Sequence, residues 1–227
     1  MPLDHEIFGE GVYTPQQAAR LIGGSAVDII RWTRGTSSSE PIWNARYSAF
    51  DDSTAISFLD LIETRVVGAF RRAGVSLQAV RTAILIAQEK YGIERPLSSL
   101  SFKTDGKEIV FKALEDEENY ESLSRKNPGQ KIFGKIVELS LRDLDYENGR
   151  VVRWRPTADK EVIIDPRRSF GAPILEKYGI STGTLLGEHK LGMTASQIGK
   201  LYEIPTKYVN SAIKYERSLD KHDPSTI

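Results

Sequence analysis

Thr14-Pro15-Gln16-Gln17-Ala18-Ala19-Arg20-Leu21-Ile22-Gly23-Gly24-Ser25-Ala26-Val27-Asp28-Ile29-Ile30-Arg31-Trp32-Thr33-Arg34-Gly35 is the stretch on which the reading of the fold turns. Thr14 has the chemistry of a helix cap, Pro15 suits the first helical position, and Gln17 closes a capping box. Ala18, Ala19, Leu21 and Ile22 supply a buried side. Gly23-Gly24 ends the helix, because glycine accepts the left-handed conformation that terminates it. Ser25 then caps a second helix, with Asp28 three residues on to reach back. Ile29 and Trp32 share its inner face, and Gly35 ends it. A short helix, a glycine turn and a second capped helix together spell a helix-turn-helix.

Downstream, Thr36-Ser37-Ser38-Ser39-Glu40-Pro41 is a turn-rich loop. Trp43, Ala45, Tyr47 and Phe50 alternate with polar residues, as a strand or wing would. Asp51-Asp52-Ser53 reads as the entry to a long helix carrying Phe58, Leu59, Ile62, Val66 and Phe70 at helical spacing. Ala73-Gly74 breaks it, and Ser76 caps another helix with Leu77, Val80, Ile84 and Ala87 inside. Thr104-Asp105-Gly106, flanked by Leu100–Lys103 and Ile109–Phe111, predicts a β-hairpin. Glu115–Glu118 opens a polar stretch that reads as a linker. Helical period returns at Phe133–Leu144. Glu147-Asn148-Gly149 marks a second hairpin, followed by a short strand at Glu161–Ile164.

The tail is helical. Thr182 is expected to cap one helix, Thr194 with Gln197 a second, and Thr206 a last one with Val209, Ala212 and Ile213 buried and Lys207, Lys214 and Arg217 outside. Glu203-Ile204-Pro205 is the turn of a second helix-turn-helix form. The expected architecture is mainly α with small β hairpins (α+β). A winged helix-turn-helix occupies 1–95, a hairpin-and-helix connector 96–160, and a helix-turn-helix-like domain 161–227.

The chain has 227 residues, with 31 cationic and 31 acidic side chains and no net charge. It is long enough for a real core, and neutrality excludes a uniformly basic coat while leaving room for a basic face. Cysteine is absent from the sequence, which removes disulfides, thiolate zinc sites and cysteine nucleophiles. His5, His189 and His222 are scattered, so no metal and no cofactor is expected. No Walker or dinucleotide loop occurs, and no nucleophile–base grouping is spelled out, so an enzyme is not expected. The acidic start, Met1–Glu6, lacks an apolar signal core, and apolar runs are short; a soluble, cytoplasmic chain without a membrane span is the expectation.

What remains is recognition chemistry. A reading helix lies in the major groove while neighbouring groups clamp phosphates. The candidate DNA contacts are Thr14, Gln16, Ser25, Asp28, Arg31, Arg34 and Arg46, with Arg71-Arg72 as further phosphate contacts. Surplus apolar residues on the long helices, Val67, Ile84, Leu85 and Ile86, predict a homodimer facing a palindromic operator. Tyr202, Tyr208, Tyr215 and Arg217 are residue types enriched at binding hot spots and form the candidate partner surface.

Two resemblances extend this reading. Val12–Gly23 with Ile30–Gly35, then Ile56–Glu63 and Arg71–Leu77, resembles the winged helix-turn-helix of MerR-like regulators. It departs by one extra residue in the second helix, and no long dimerisation coil follows, so metal or drug sensing is not implied. Ile163-Ile164-Asp165-Pro166, Gly171-Ala172-Pro173, Ile180-Ser181-Thr182 and Gly192-Met193-Thr194 are similar to the unknown-function family 433, which occurs as antitoxins beside PIN-like ribonuclease toxins. Together they imply a VapB-type antitoxin of a type II toxin–antitoxin module. Such a protein would neutralise a PIN-like ribonuclease toxin and repress its own operon by binding operator DNA as a homodimer. A transcription regulator without a toxin is the second reading, and a nucleic-acid-processing enzyme the third.

Overall fold

The structure, a computed structural model, describes residues 9–49, 53–115 and 130–220. The opening pair forms as its sequence dictates. Helix α1 (Pro15–Ile22) is capped by Thr14, whose hydroxyl accepts from the Gln17 amide while Gln17 accepts from the Thr14 amide. Gly23, at φ 64°, closes it. In α2 (Ala26–Arg34) the Ser25 hydroxyl accepts from the Asp28 amide, but the Asp28 carboxylate turns to Arg31 instead of closing a box. Ile29 and Trp32 point inward.

No strand forms at the described residues of the expected wing. Residues 42–48 do alternate between buried and exposed, yet they run as bends and turns without a strand ladder. Their polar groups are taken elsewhere: the Trp43 indole and the Arg46 amide both donate to the Asp60 carboxylate. Phe50, Asp51 and Asp52 lie outside the described residues. The helix they were expected to open, α3 (Phe58–Arg72), is instead capped by Ser57 in a box closed by Asp60. Helix α4 (Leu77–Tyr91) follows with Ser76 as its cap.

The first expected hairpin is a helix, α5 (Leu100–Glu115). Phe102, Gly106, Ile109, Val110 and Ala113 are buried at helical spacing. Gly106 serves packing here: a Cβ at that position would lie 2.9 Å from the Phe102 ring. Most of the polar stretch beginning at Glu115 lies outside the described residues. Helix α6 (Gln130–Leu141) then packs on α5 and α3. Strands β1 (Leu144–Glu147) and β2 (Arg150–Trp154) pair antiparallel around Asn148-Gly149, both at positive φ as a two-residue hairpin requires.

Strand β3 (Val162–Ile163) pairs with β4 (Ile174–Leu175). Three helices close the chain: α7 (Thr182–Lys190), α8 (Ala195–Leu201) and α9 (Thr206–Asp220). Ser181, not Thr182, stands at the cap of α7; Thr182 is buried inside it, donating its hydroxyl to the Glu216 carboxylate. Thr194 and Gln197 form the capping box of α8. Helix α9 already includes Thr206.

Two hydrophobic cores result. One spans Tyr13 to Ile164 and contains α1–α6 together with β1–β2, so residues of the expected connector share it with the head. The second, Val162 to Leu219, lies among α7, α8 and α9. Leu21 packs against both. The expected dimer face is largely consumed within the chain. Val67 and Ile84 are buried and Ile86 packs on the first core, leaving Leu85, 60% exposed, as the free member of that set.

In the second helix pair, Gly199 touches the turn: a Cβ there would sit 2.6 Å from the Ile204 carbonyl oxygen, which is backbone and has little freedom to give. Gly199→Ala should therefore destabilise the fold by about 1–3 kcal/mol, read as a lower denaturation midpoint, whereas Gly187→Ala, where a Cβ meets open space, should not.

Candidate nucleic-acid interface

Both helix pairs are built to one pattern. Each turn carries one residue in the left-handed region, Gly23 (φ 64°) in the first pair and Glu203 (φ 56°) in the second. Four positions earlier stands a small buried residue, Ala19 or Gly199; five earlier, Ala18 or Ile198. Six positions after the turn residue comes a buried aliphatic, Ile29 or Val209, and nine after comes Trp32 or Ala212. Small residues let the helices approach closely, and the later buried positions seat the second helix on the first. The four-residue turn Tyr202–Pro205 is held by the Ile204 amide donating to the Gly199 carbonyl at 2.8 Å.

The outer faces differ. On α2, Val27 and Arg31 are exposed, Ile30 and Arg34 are half-buried, and Ala26 packs on the first core. Arg34 is already used: its guanidinium donates to the carbonyls of Ser48 (3.0 Å) and Tyr47 (3.1 Å), fastening the following loop. Arg31 projects outward, with Asp28 3.7 Å away as a loose ion-pair partner. Thr14 and Ser25 spend their hydroxyls on capping, and Gln16 is exposed on α1. Arg46 lies apart from these, lining a polar cleft of about 610 Å³ with Arg95, Ser98, Ser101 and Arg150. Arg71 donates to the Val75 carbonyl, and Arg72 is exposed.

Of the four tail residues, Tyr215 is buried, at 6% exposure, and so presents no surface to a partner; its hydroxyl is without a hydrogen-bond partner among the described residues. Tyr208 is half-buried, edge-on to Tyr178 at 5.2 Å. Tyr202 donates to the Glu188 carboxylate at 3.0 Å, and Arg217 is exposed. The sequence reading passed over Leu191 and Leu201, exposed by 83% and 57% respectively.

Arg95, which lines the cleft, belongs to a buried charged cluster that spacing alone could not reveal. Arg95 reaches Asp60 at 2.5 Å and Glu63 at 3.8 Å. Burial works against the charge of Asp60, but Arg95 and hydrogen bonds from Ser57 and Trp43 outweigh it and hold the carboxyl below its usual range. Glu63 is the losing partner. Burial, with the neighbouring Asp60 charge, pushes it from 4.5 up to about 7, against the pull of Arg95 and Ser98.

The protein is mainly helical, with small antiparallel hairpins and two helix pairs of one pattern. Among the described residues no acidic or histidine cluster could hold a metal, and no helix is long and apolar enough to cross a membrane. The chain is similar to "Putative antitoxin VapB45" of Mycobacterium tuberculosis strain H37Rv, 24% identical over 225 residues, covering 91% of this chain and 94% of that protein. Its fold is similar to the crystal structure of Rv2018 from Mycobacterium tuberculosis, with a TM-score of 0.70 and 26% identity over 91% of this chain and 99% of the other. No protein-family profile matches the chain.

Two outcomes are expected of this geometry. A carboxyl whose pKa is raised on folding adds stability below its unfolded value and loses it as pH climbs through the folded one. Glu63 should therefore make the protein progressively less stable from about pH 4.5 to about 7. Denaturation midpoints of the wild type should fall across that window, and Glu63→Gln should remove this component of the slope. Arg34→Ala should lower unfolding free energy by about 1 kcal/mol through its lost carbonyl bonds, while Arg31→Ala should stay within about 0.5 kcal/mol of wild type in the same titration.

Proposed function

We propose that the protein is the antitoxin of a toxin–antitoxin module and that it binds DNA to repress its own operon. The observation that carries the reading is the similarity, over 91% of the chain, to a protein named as an antitoxin. The two helix-turn-helix forms supply its DNA-binding half. In the first unit Arg31 is the cation left available for the duplex, with Gln16 exposed on α1 for a backbone contact. Arg34 acts behind it, fixing the loop that follows.

The toxin, of the PIN-like ribonuclease class that the motifs of the tail imply, is held by the C-terminal helices. Leu191 and Leu201 are large apolar side chains standing in water, and Tyr202 lies next to Leu201 with an apolar ring and a polar tip. Such residues are the usual anchors of a desolvated contact. Arg217 is exposed to complement an acidic nuclease surface. Tyr215 supports this region from within.

Co-expression tests the reading. The gene product encoded beside this chain should arrest growth alone, and the full-length chain should relieve the arrest and co-purify with that product. Leu191→Asp combined with Leu201→Asp should abolish relief while leaving the thermal transition in place. Full relief by the double variant would remove the toxin surface from these helices. A neighbour that neither arrests growth nor binds the chain would reject the antitoxin reading itself.

A further inference from the structure

The positions of α9 at the same offsets from the turn as Ala26, Val27, Ile30, Arg31 and Arg34 of α2 are Thr206, Lys207, Asn210, Ser211 and Lys214. The second set is polar throughout, where the first holds three apolar side chains and an Arg34 that is already engaged. Thr206, Asn210 and Lys214 are exposed, and their side chains have no hydrogen-bond or ion-pair partner among the described residues. The Lys207 ammonium lies 4.5 Å from the Tyr208 ring, and Ser211 donates to Asp159 at 2.8 Å. Lys200 at the end of α8 is also exposed. The acidic side chains of α9 are at its far end and already paired: Glu216 and Asp220 accept from Arg20 of α1, at 2.9 Å and 2.7 Å.

We propose that this face of α9 is itself a duplex-DNA reading surface, distinct from α2. Asparagine matches the donor–acceptor pair of an adenine edge in the major groove. Lysines at the first and last outward turns match phosphates on either side. The α9 helix is about 22 Å long, and the Arg20 anchor holds its C-terminal end. Its N-terminal half, bearing Thr206, Lys207 and Asn210, therefore projects away from the first unit, as the entering end of a reading helix does. The inference rests on the proposal that the chain binds DNA and moves part of the reading to a second place.

The test is fluorescence anisotropy of the full-length chain on two 40-base-pair duplexes, one taken from upstream of its own gene and one of scrambled sequence, across a range of salt. Lys207→Ala with Lys214→Ala should weaken binding to both and reduce the log–log salt slope by about 2. Asn210→Ala should weaken the upstream duplex by about tenfold and the scrambled one little. These positions are exposed, so unchanged thermal transitions will show that the variants fold. If all three substitutions leave affinity and slope unchanged while Arg31→Ala weakens binding, α2 is the reader and the inference is overturned. If the α9 variants lose binding and Arg31→Ala does not, the inference stands and the placement at α2 fails. Binding to neither duplex overturns both DNA assignments and leaves the antitoxin reading to the co-expression result. Tighter binding of an RNA duplex than of either DNA overturns the choice of ligand.

Discussion

The Asp60 carboxylate is the constraint around which the larger core is assembled. It is fully buried and accepts from the Ser57 amide and hydroxyl, the Trp43 indole, the Arg46 amide and the Arg95 guanidinium. These groups come from three separate places: the start of α3, the loop after the first helix pair, and the segment between α4 and α5. A buried carboxylate is costly unless its lone pairs are filled, so the three segments must arrive together or not at all. The loop at 42–48 consequently has no freedom to form a ladder, and Glu63 must share the same cation and carry less of the charge.

A second set of contacts ties the head to the tail. The Tyr13 hydroxyl donates to the Gly171 carbonyl at 2.9 Å. A Cβ on Gly171 would fall inside the Tyr13 hydroxyl, and its φ of 84° is itself a glycine conformation. Arg20 adds the link from α1 to α9. The two helix pairs are thus joined through a hydroxyl-to-carbonyl hydrogen bond and a part-buried ion-pair cluster.

Local chemistry was legible in the sequence and long-range competition was not. The boxes Thr14/Gln17 and Thr194/Gln197 and the Asn148-Gly149 turn are decided within four residues, and they stand as read. Thr104-Asp105-Gly106 has the composition of a turn, but Phe102, Ile109 and Val110 gain more by facing the core together on a helix, and Gly106 makes room for the Phe102 ring. Trp43, Ala45 and Tyr47 alternate like a strand because they are alternately buried, but the hydrogen bonds go to Asp60 and not to a neighbouring strand. Of the candidate contacts, Arg31 could be placed from helical spacing alone. That Arg34 is taken by two carbonyls, or that Tyr215 faces inward while Leu201 faces out, depends on partners distant in sequence.

Net charge says little about where such a protein meets a polyanion; what matters is which cations are left unspent. Although the chain carries 31 cationic and 31 acidic residues, several of its arginines are already paired. Arg153 is shared among Asp145, Asp165 and Glu176, Arg155 between Asp145 and Glu176, and Arg167 between Asp165 and Glu147. Arg65 lies over the Trp154 ring while pairing with Asp143. These arginines brace the hairpins and offer a duplex little. A phosphate gains most from a cation whose charge is not already balanced. Among the proposed contacts Lys207 and Lys214 meet that criterion, while Arg31 already has the Asp28 carboxylate 3.7 Å away.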